Sequence, residues 1–386
     1  MKEMVHMDTK LIHGGIDGDE NTGAVNVPIY QTSTYRQIEL GKNKGYEYSR
    51  TKNPTRDALE ALIAELESAK FGFAFASGMA AISAVLSLFK TGDKLLISSN
   101  VYGGTFRVLD KVFSQFGISY EIVETGDLEV FEKSITQEVK AVLIESPANP
   151  LMGVSDIAKI AKIAKKHGIL SIVDNTFMTP YLQRPIELGV DVVIHSATKY
   201  LGGHGDLIAG LVVTNDEVLG QKIGFIQNST GGILSPFESF LLVRGIKTLG
   251  VRMERHCENA LFIAKHLQTH QGIEKVFYPA LPEDKGYAIN SAQASGGGGM
   301  ISFILKEEYD YKKFFASVKL IALAESLGGV ESLLCHPASM THASIPSEIR
   351  CKMGISDRLI RLSVGIEDKN DILKDLQNAI KLSLKA

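Results

Sequence analysis

The stretch 157–174 reads IAKIAKIAKKHGILSIVD. Ile157, Ile160, Ala161 and Ala164 recur at three- and four-residue spacing with lysines between them, the period of an amphipathic helix over Ile157–His167. Gly168 stops that helix, and Leu170-Ser171-Ile172-Val173-Asp174 follows as a short apolar strand ending in a carboxylate. The same alternation extends both ways. Phe73–Ala76, Leu95–Ser98, Ile118–Val123, Ala141–Glu145 and Val190–His195 read as further strands, with helical patterns at Ala80–Phe89 and Thr105–Phe116 between them. Strands separated by helices predict an α/β fold, a mostly parallel sheet covered by helices on both faces. Ligands then sit beyond the carboxyl ends of the strands.

Outside this block the texture changes. Residues 1–52 are rich in Gly, Thr, Tyr and Gln, show no period long enough to bury a face, and read as an arm that packs on something else. Asn53-Pro54 starts a helix, since Asn caps well and Pro suits the first helical position. A cofactor-sized α/β domain therefore spans 53–235. From 236 to 386, long helical patterns, a glycine run at 296–299, strands at 300–305 and 359–364 and a helix after Asp368 read as a smaller α+β domain. The glycine run precedes a strand and reads as a flexible turn rather than a phosphate cradle.

Composition excludes several classes. Lys+Arg total 41 against Asp+Glu 44, a net charge of −3 with no block of like charges, so neither a nucleic-acid footprint nor a polybasic membrane surface is expected. No apolar run is long enough to span a membrane, and the charged opening residues do not suit a signal peptide, which places the chain in the cytoplasm. Cys257, Cys335 and Cys351 are too far apart for a CxxC motif, a zinc ribbon or a disulfide framework. No dinucleotide, Walker, nucleophile-elbow or zincin motif occurs. His195 and His204 bracket a polar loop with no third ligand, so no metal is expected.

The strand ends hold the candidate chemistry. Phe73–Ala76 runs into Ser77-Gly78-Met79 and a helix start, either a plain serine cap or a phosphate site. Asp174 either caps its turn or faces a ligand. Val190–His195 leads to Ser196-Ala197-Thr198-Lys199-Tyr200, two hydroxyls and a lysine that taken singly would be solvated. Tyr102 follows Leu95–Ser98 as a turn residue or an aromatic platform. Arg361, within the strand-like Leu359–Val364, either meets a protein carboxylate or awaits a substrate carboxylate. One cofactor uses a phosphate site, a carboxylate for a pyridinium, a stacking ring and a lysine amine for its aldehyde carbon: pyridoxal phosphate.

Tyr46-Glu47-Tyr48-Ser49-Arg50, Asn53-Pro54-Thr55-Arg56, Ala76-Ser77-Gly78-Met79-Ala80, Val173-Asp174-Asn175-Thr176-Phe177, Ser196-Ala197-Thr198-Lys199-Tyr200 and Arg361-Leu362-Ser363-Val364-Gly365, in this order, resemble the Cys/Met-metabolism family of pyridoxal-phosphate enzymes over essentially the whole chain. The resemblance implies the aspartate-aminotransferase type of fold (fold type I), an amino-acid substrate, and a homotetramer of two tight dimers with active sites shared between subunits. It implies that Lys199 holds the cofactor covalently, that Asp174 pairs with the ring nitrogen, and that Tyr102 stacks on the ring and transfers protons. Ser77, Gly78, Met79, Ser196 and Thr198 would hold the phosphate, with Tyr48 and Arg50 reaching in from the neighbouring subunit. Asn149, Ser326 and Arg361 match positions that bind the substrate carboxylate.

Within the family, the texture is closest to the cystathionine gamma-lyase and gamma-synthase branches. Gly104 stands where methionine gamma-lyases carry a cysteine, Arg107 follows as in the cystathionine enzymes, and Glu325 stands where beta-lyases show an aromatic residue. His204-Gly205-Asp206 and 336–340 look more like methionine gamma-lyases. The pocket residues imply gamma-elimination on L-cystathionine, with gamma-replacement on an acylhomoserine next, methionine gamma-elimination after it, and a non-catalytic cofactor carrier as the remote alternative.

Overall fold

The computed structural model describes residues 6–385, except 16, 17, 20, 100, 342–347, 349 and 351–353. Cys351 lies outside the described residues. Seven strands form one sheet: β1 (Phe71–Phe75), β2 (Lys94–Ser98), β3 (Ser119–Val123), β4 (Val139–Glu145), β5 (Leu170–Asp174), β6 (Val192–Ser196) and β7 (Gly210–Thr214). Their order is β1-β7-β6-β5-β4-β2-β3. Neighbours from β6 to β3 are parallel, whereas β7 runs antiparallel to both β6 and β1. The sheet is thus mostly parallel with one reversed strand, and that strand, β7, lies in a stretch with no strand in the sequence reading.

Side-chain alternation along the strands builds a core on each face. Val142, Ile144, Val173, Val193 and Val213 pack on one side with the helices Pro54–Leu66 and Ile157–His167. Ala141, Leu143, Ile172, Ile194 and Val212 pack on the other with the helix Gly78–Leu86. Local signals place those helices as expected: Asn53 accepts from the Thr55 N–H ahead of Pro54, and Gly168 ends its helix at φ +67°. The arm departs from expectation in one respect, because Met7–His13 is helical. It buries only Leu11, against Leu59 and Leu62, which is too short a pattern to register as a period.

A second sheet joins β8 (Ile273–Phe277), β9 (Met300–Leu305), β10 (Ala322–Leu323), β11 (Leu333–Cys335) and β12 (Leu359–Ser363) in the order β10-β11-β12-β9-β8. Ile360 and Leu362 pack with Ile263, Leu267, Leu376 and Ile380 of the helices Leu249–Gln268 and Lys369–Leu382. Period two turns Arg361 to the opposite face. The glycine run is not a flexible turn, because residues 297–299 are buried, and a Cβ at Gly297 would run into the Tyr278 ring and one at Gly299 into the Tyr200 hydroxyl.

Candidate active site

Because Ile144 and Val173 face one core while Leu143 and Ile172 face the other, Glu145, Asp174 and Ser196 leave the carboxyl ends of β4, β5 and β6 on the face of the helix Gly78–Leu86. A cavity of about 270 Å³ opens there. Ser77, Gly78, Met79, Tyr102, Asn149, Asp174, Ser196, Thr198, Lys199, Glu325, Ser326 and Arg361 all line it, so twelve residues from seven separate stretches of sequence converge as the strand-end rule requires.

Each part has a local cause. Ser77 caps its helix by accepting from the Ala80 N–H at 3.0 Å, which leaves the N-terminal peptide groups and positive dipole end of that helix at the cavity. Gly78 lies so close to Ser196 that a Cβ would meet the Ser196 Cβ at 2.9 Å. Asp174 accepts from the Thr176 N–H at 3.0 Å and from the Thr176 hydroxyl, whose oxygen accepts from the Ser196 N–H at 2.8 Å. One threonine thereby joins the carboxylate at the end of β5 to the hydroxyl region at the end of β6. Burial raises the Asp174 carboxyl above its ordinary value, against the Thr176 hydrogen bonds that lower it.

The Lys199 amine donates to the Ser326 hydroxyl at 2.9 Å. Burial, with help from the Arg361 charge and against the pull of Glu325, lowers its pKa to about 8. Such an amine is a usable base and nucleophile near neutral pH. Ser326 takes φ +86°, a left-handed conformation unusual for serine, and its carbonyl accepts from Arg361 at 3.0 Å.

Arg361 is 3% exposed. No carboxylate of the described residues forms an ion pair with it; it donates instead to the Asn149 side-chain carbonyl at 3.0 Å and to Ser326. Its Nε is buried without a partner. The guanidinium has five N–H groups, so donors remain for a carboxylate arriving in the cavity.

Tyr102 is 44% exposed at the cavity edge. Its neighbour Gly104 has no room for a side chain, since a Cβ would meet the Tyr102 ring and come within 2.9 Å of Met79 Sδ.

Three expected residues lie elsewhere. Tyr48 and Arg50 sit on the arm surface, with the Arg50 guanidinium 5.5 Å from the Tyr48 ring centroid and donating to Asn228. Arg107 is exposed on the helix Gly103–Lys111, off the cavity lining. Among the described residues no cluster of His, Cys, Asp or Glu could hold a metal. His195 points to the opposite face, where its Nε2 meets Glu67 at 2.6 Å with both side chains fully buried.

Sequence reasoning missed Glu145. It ends β4 directly opposite Asp174, lines the cavity and is buried. The signal was available, because the rule that singles out Asp174 at the end of its strand applies equally to Glu145. Burial, and then the facing Asp174, push the Glu145 carboxyl well above the ordinary carboxylate range.

The donor set suits pyridoxal phosphate: a helix start and hydroxyls for the phosphate, a half-buried carboxylate for the pyridinium, a depressed lysine for the aldehyde carbon and an aromatic ring at the edge. Comparison with known proteins agrees. A cystathionine gamma-lyase of Bacillus subtilis (strain 168) is 54% identical over 373 residues, covering 97% of this chain and 98% of that protein. A cystathionine beta-lyase of Lactococcus lactis subsp. cremoris (strain MG1363) is 55% identical over 378 residues, covering 98% and 100%. The crystal structure of cystathionine gamma-lyase from Lactobacillus plantarum complexed with L-serine superposes with a TM-score of 0.96 at 51% identity, over 98% of this chain and 99% of that one. Since the profile of the Cys/Met metabolism PLP-dependent enzymes also matches residues 8–381, the chain belongs to that family, is a pyridoxal-phosphate enzyme and has the fold of type I.

Proposed function

We propose that this enzyme catalyses gamma-elimination on L-cystathionine, consuming water and releasing cysteine, 2-oxobutanoate and ammonia. The observation that carries the proposal is Glu325. It lines the cavity with Lys199 and Arg361, and no cation of the described residues forms an ion pair with it. A carboxylate so placed suits the distal ammonium of cystathionine and has nothing to attract in methionine. In this scheme Arg361, Asn149 and Ser326 hold the carboxylate of the reacting half. When bound, pyridoxal phosphate supplies an electron sink for the alpha carbon. Lys199 takes the alpha proton, a second proton leaves the beta carbon, the gamma sulfur departs, and the Tyr102 hydroxyl protonates it.

The cofactor contacts expected of Ser77, Gly78, Met79, Asp174, Ser196 and Thr198 belong to the same proposal. Among the described residues, the cavity lining offers the phosphate no arginine besides Arg361. Arg50 and Tyr48 of a second copy would complete it. The arm supports this, since Val25 is 83% and Leu40 101% exposed on one copy. We therefore infer a homotetramer of dimers with shared sites, each chain divided into an arm (1–52), a cofactor domain (53–235) and a C-terminal domain (236–386). The limits of the two sheets support that division.

Beta-elimination is the second reading, because the Lactococcus lactis beta-lyase is as similar to this chain as the Bacillus subtilis gamma-lyase. Gamma-replacement of an acylhomoserine by cysteine shares the early proton transfers. Methionine gamma-elimination is less well supported: the cysteine its enzymes carry at the position of Gly104 would run into the Tyr102 ring. Glu325→Val tests the specificity claim. Loss of a charge-assisted contact of about 1.5–3 kcal/mol should lower kcat/KM for cystathionine about ten- to a hundredfold. Methionine turnover should hold or rise. Equal losses on both substrates would make Glu325 structural.

A further inference from the structure

Glu145 is 6% exposed, and its two carboxyl oxygens are used on two different peptide groups. One accepts from the Tyr102 N–H at 2.8 Å and the other from the Asn149 N–H at 3.4 Å. Tyr102 precedes the helix Gly103–Lys111 with no side-chain cap of its own, so this bond fixes the backbone from which its ring projects. Asn149 in turn receives Arg361. A single buried carboxyl therefore links the aromatic side of the cavity to its carboxylate-binding side. Burying an ionisable group next to a second carboxyl is costly, and a site needing only packing would be filled more cheaply by an apolar residue.

We propose that Glu145 is a positioning residue that fixes Tyr102 relative to the Asn149–Arg361 pair, so that both sides of the active site keep one spacing. This rests on the roles proposed above for Tyr102 and Arg361. The bond to the Tyr102 N–H is the shorter of the two, 2.8 Å against 3.4 Å. Glutamine would preserve the first bond, because its carbonyl still accepts, and lose the second, because its amide N–H₂ would face the Asn149 N–H. Alanine loses both.

The experiment uses the holoenzyme and two readouts besides turnover. Visible circular dichroism of the bound cofactor reports on the Tyr102 side. The Kd for propionate, a carboxylate with no amine to react, reports on the Arg361 side. Glu145→Ala should weaken propionate binding about tenfold or more and diminish the visible band. Glu145→Gln should weaken propionate binding while keeping the band. Wild-type values of both quantities in Glu145→Ala, or equal loss of both in Glu145→Gln, would overturn the proposal. Should Glu145→Ala fail to fold, the split between the two readouts in Glu145→Gln decides alone. Arg361→Ala serves as a control: unchanged propionate binding in that variant would refute the carboxylate role of Arg361 instead.

Discussion

Replacing Arg361 asks most of the site. Its side chain is 3% exposed and makes two hydrogen bonds, to Asn149 and to the Ser326 carbonyl, while Nε has none. A substrate carboxylate can therefore receive two further N–H groups in the fork geometry that arginine favours. At about 1.5–3 kcal/mol for each charged hydrogen bond, two lost contacts amount to about 3–6 kcal/mol, or a fall of about 10²- to 10⁴-fold in kcat/KM for Arg361→Ala. Arg361→Lys keeps the charge without the fork and should recover about half of that free energy. Steady-state kinetics on cystathionine, with the visible spectrum as a measure of retained cofactor, separates binding from misfolding, because Arg361 has no part in the proposed phosphate site. A fall of less than about tenfold in a variant with full cofactor occupancy would refute the carboxylate role.

Three other expectations follow from the same geometry. The Lys199 amine must be neutral to capture the cofactor, so uptake of pyridoxal phosphate by cofactor-free enzyme should rise with pH to a midpoint near 8. Arg361→Ala, by removing a charge that lowers this pKa, should move the midpoint upward, and an unchanged midpoint would show that the two groups do not interact. Arg50→Ala and Lys199→Ala chains, each inactive or nearly so alone, should regain activity when mixed into hybrid dimers, where one site has both residues intact. Proven hybrids without activity would rule out the shared site. Gly104→Ala should displace the Tyr102 ring and lower kcat with little change in melting temperature, because the clash falls on a half-exposed side chain.

Much of this was legible in the strand ends. Asp174 and the Ser196–Lys199 run sit at the carboxyl edge because their strands, Leu170–Asp174 and Val192–Ser196, announce themselves as short apolar runs after helix stops. β7 did not, although Leu211-Val212-Val213 is an apolar run of the same kind, because a glycine opens it and no helical pattern separates it from β6. Glu145 was hidden in plain view, a carboxylate at a strand end whose partner became visible only once the register set it opposite Asp174. Arg361 could be read from sequence as ion-paired or waiting, and the choice required knowing that its neighbours are an amide and a carbonyl rather than a carboxylate. Tyr48 and Arg50 lie off the cavity of a single chain, and so does Arg107, which was expected to bind substrate.

The most direct test of gamma-elimination is the product balance. Purified holoenzyme is given L-cystathionine alone, and in parallel an acylhomoserine with cysteine, and 2-oxobutanoate, pyruvate, cysteine, homocysteine and cystathionine are quantified. The account predicts 2-oxobutanoate and cysteine in equal amounts from cystathionine, at a rate above any cystathionine formation in the parallel reaction. Pyruvate and homocysteine as the main products, or faster synthesis than cleavage, would contradict it.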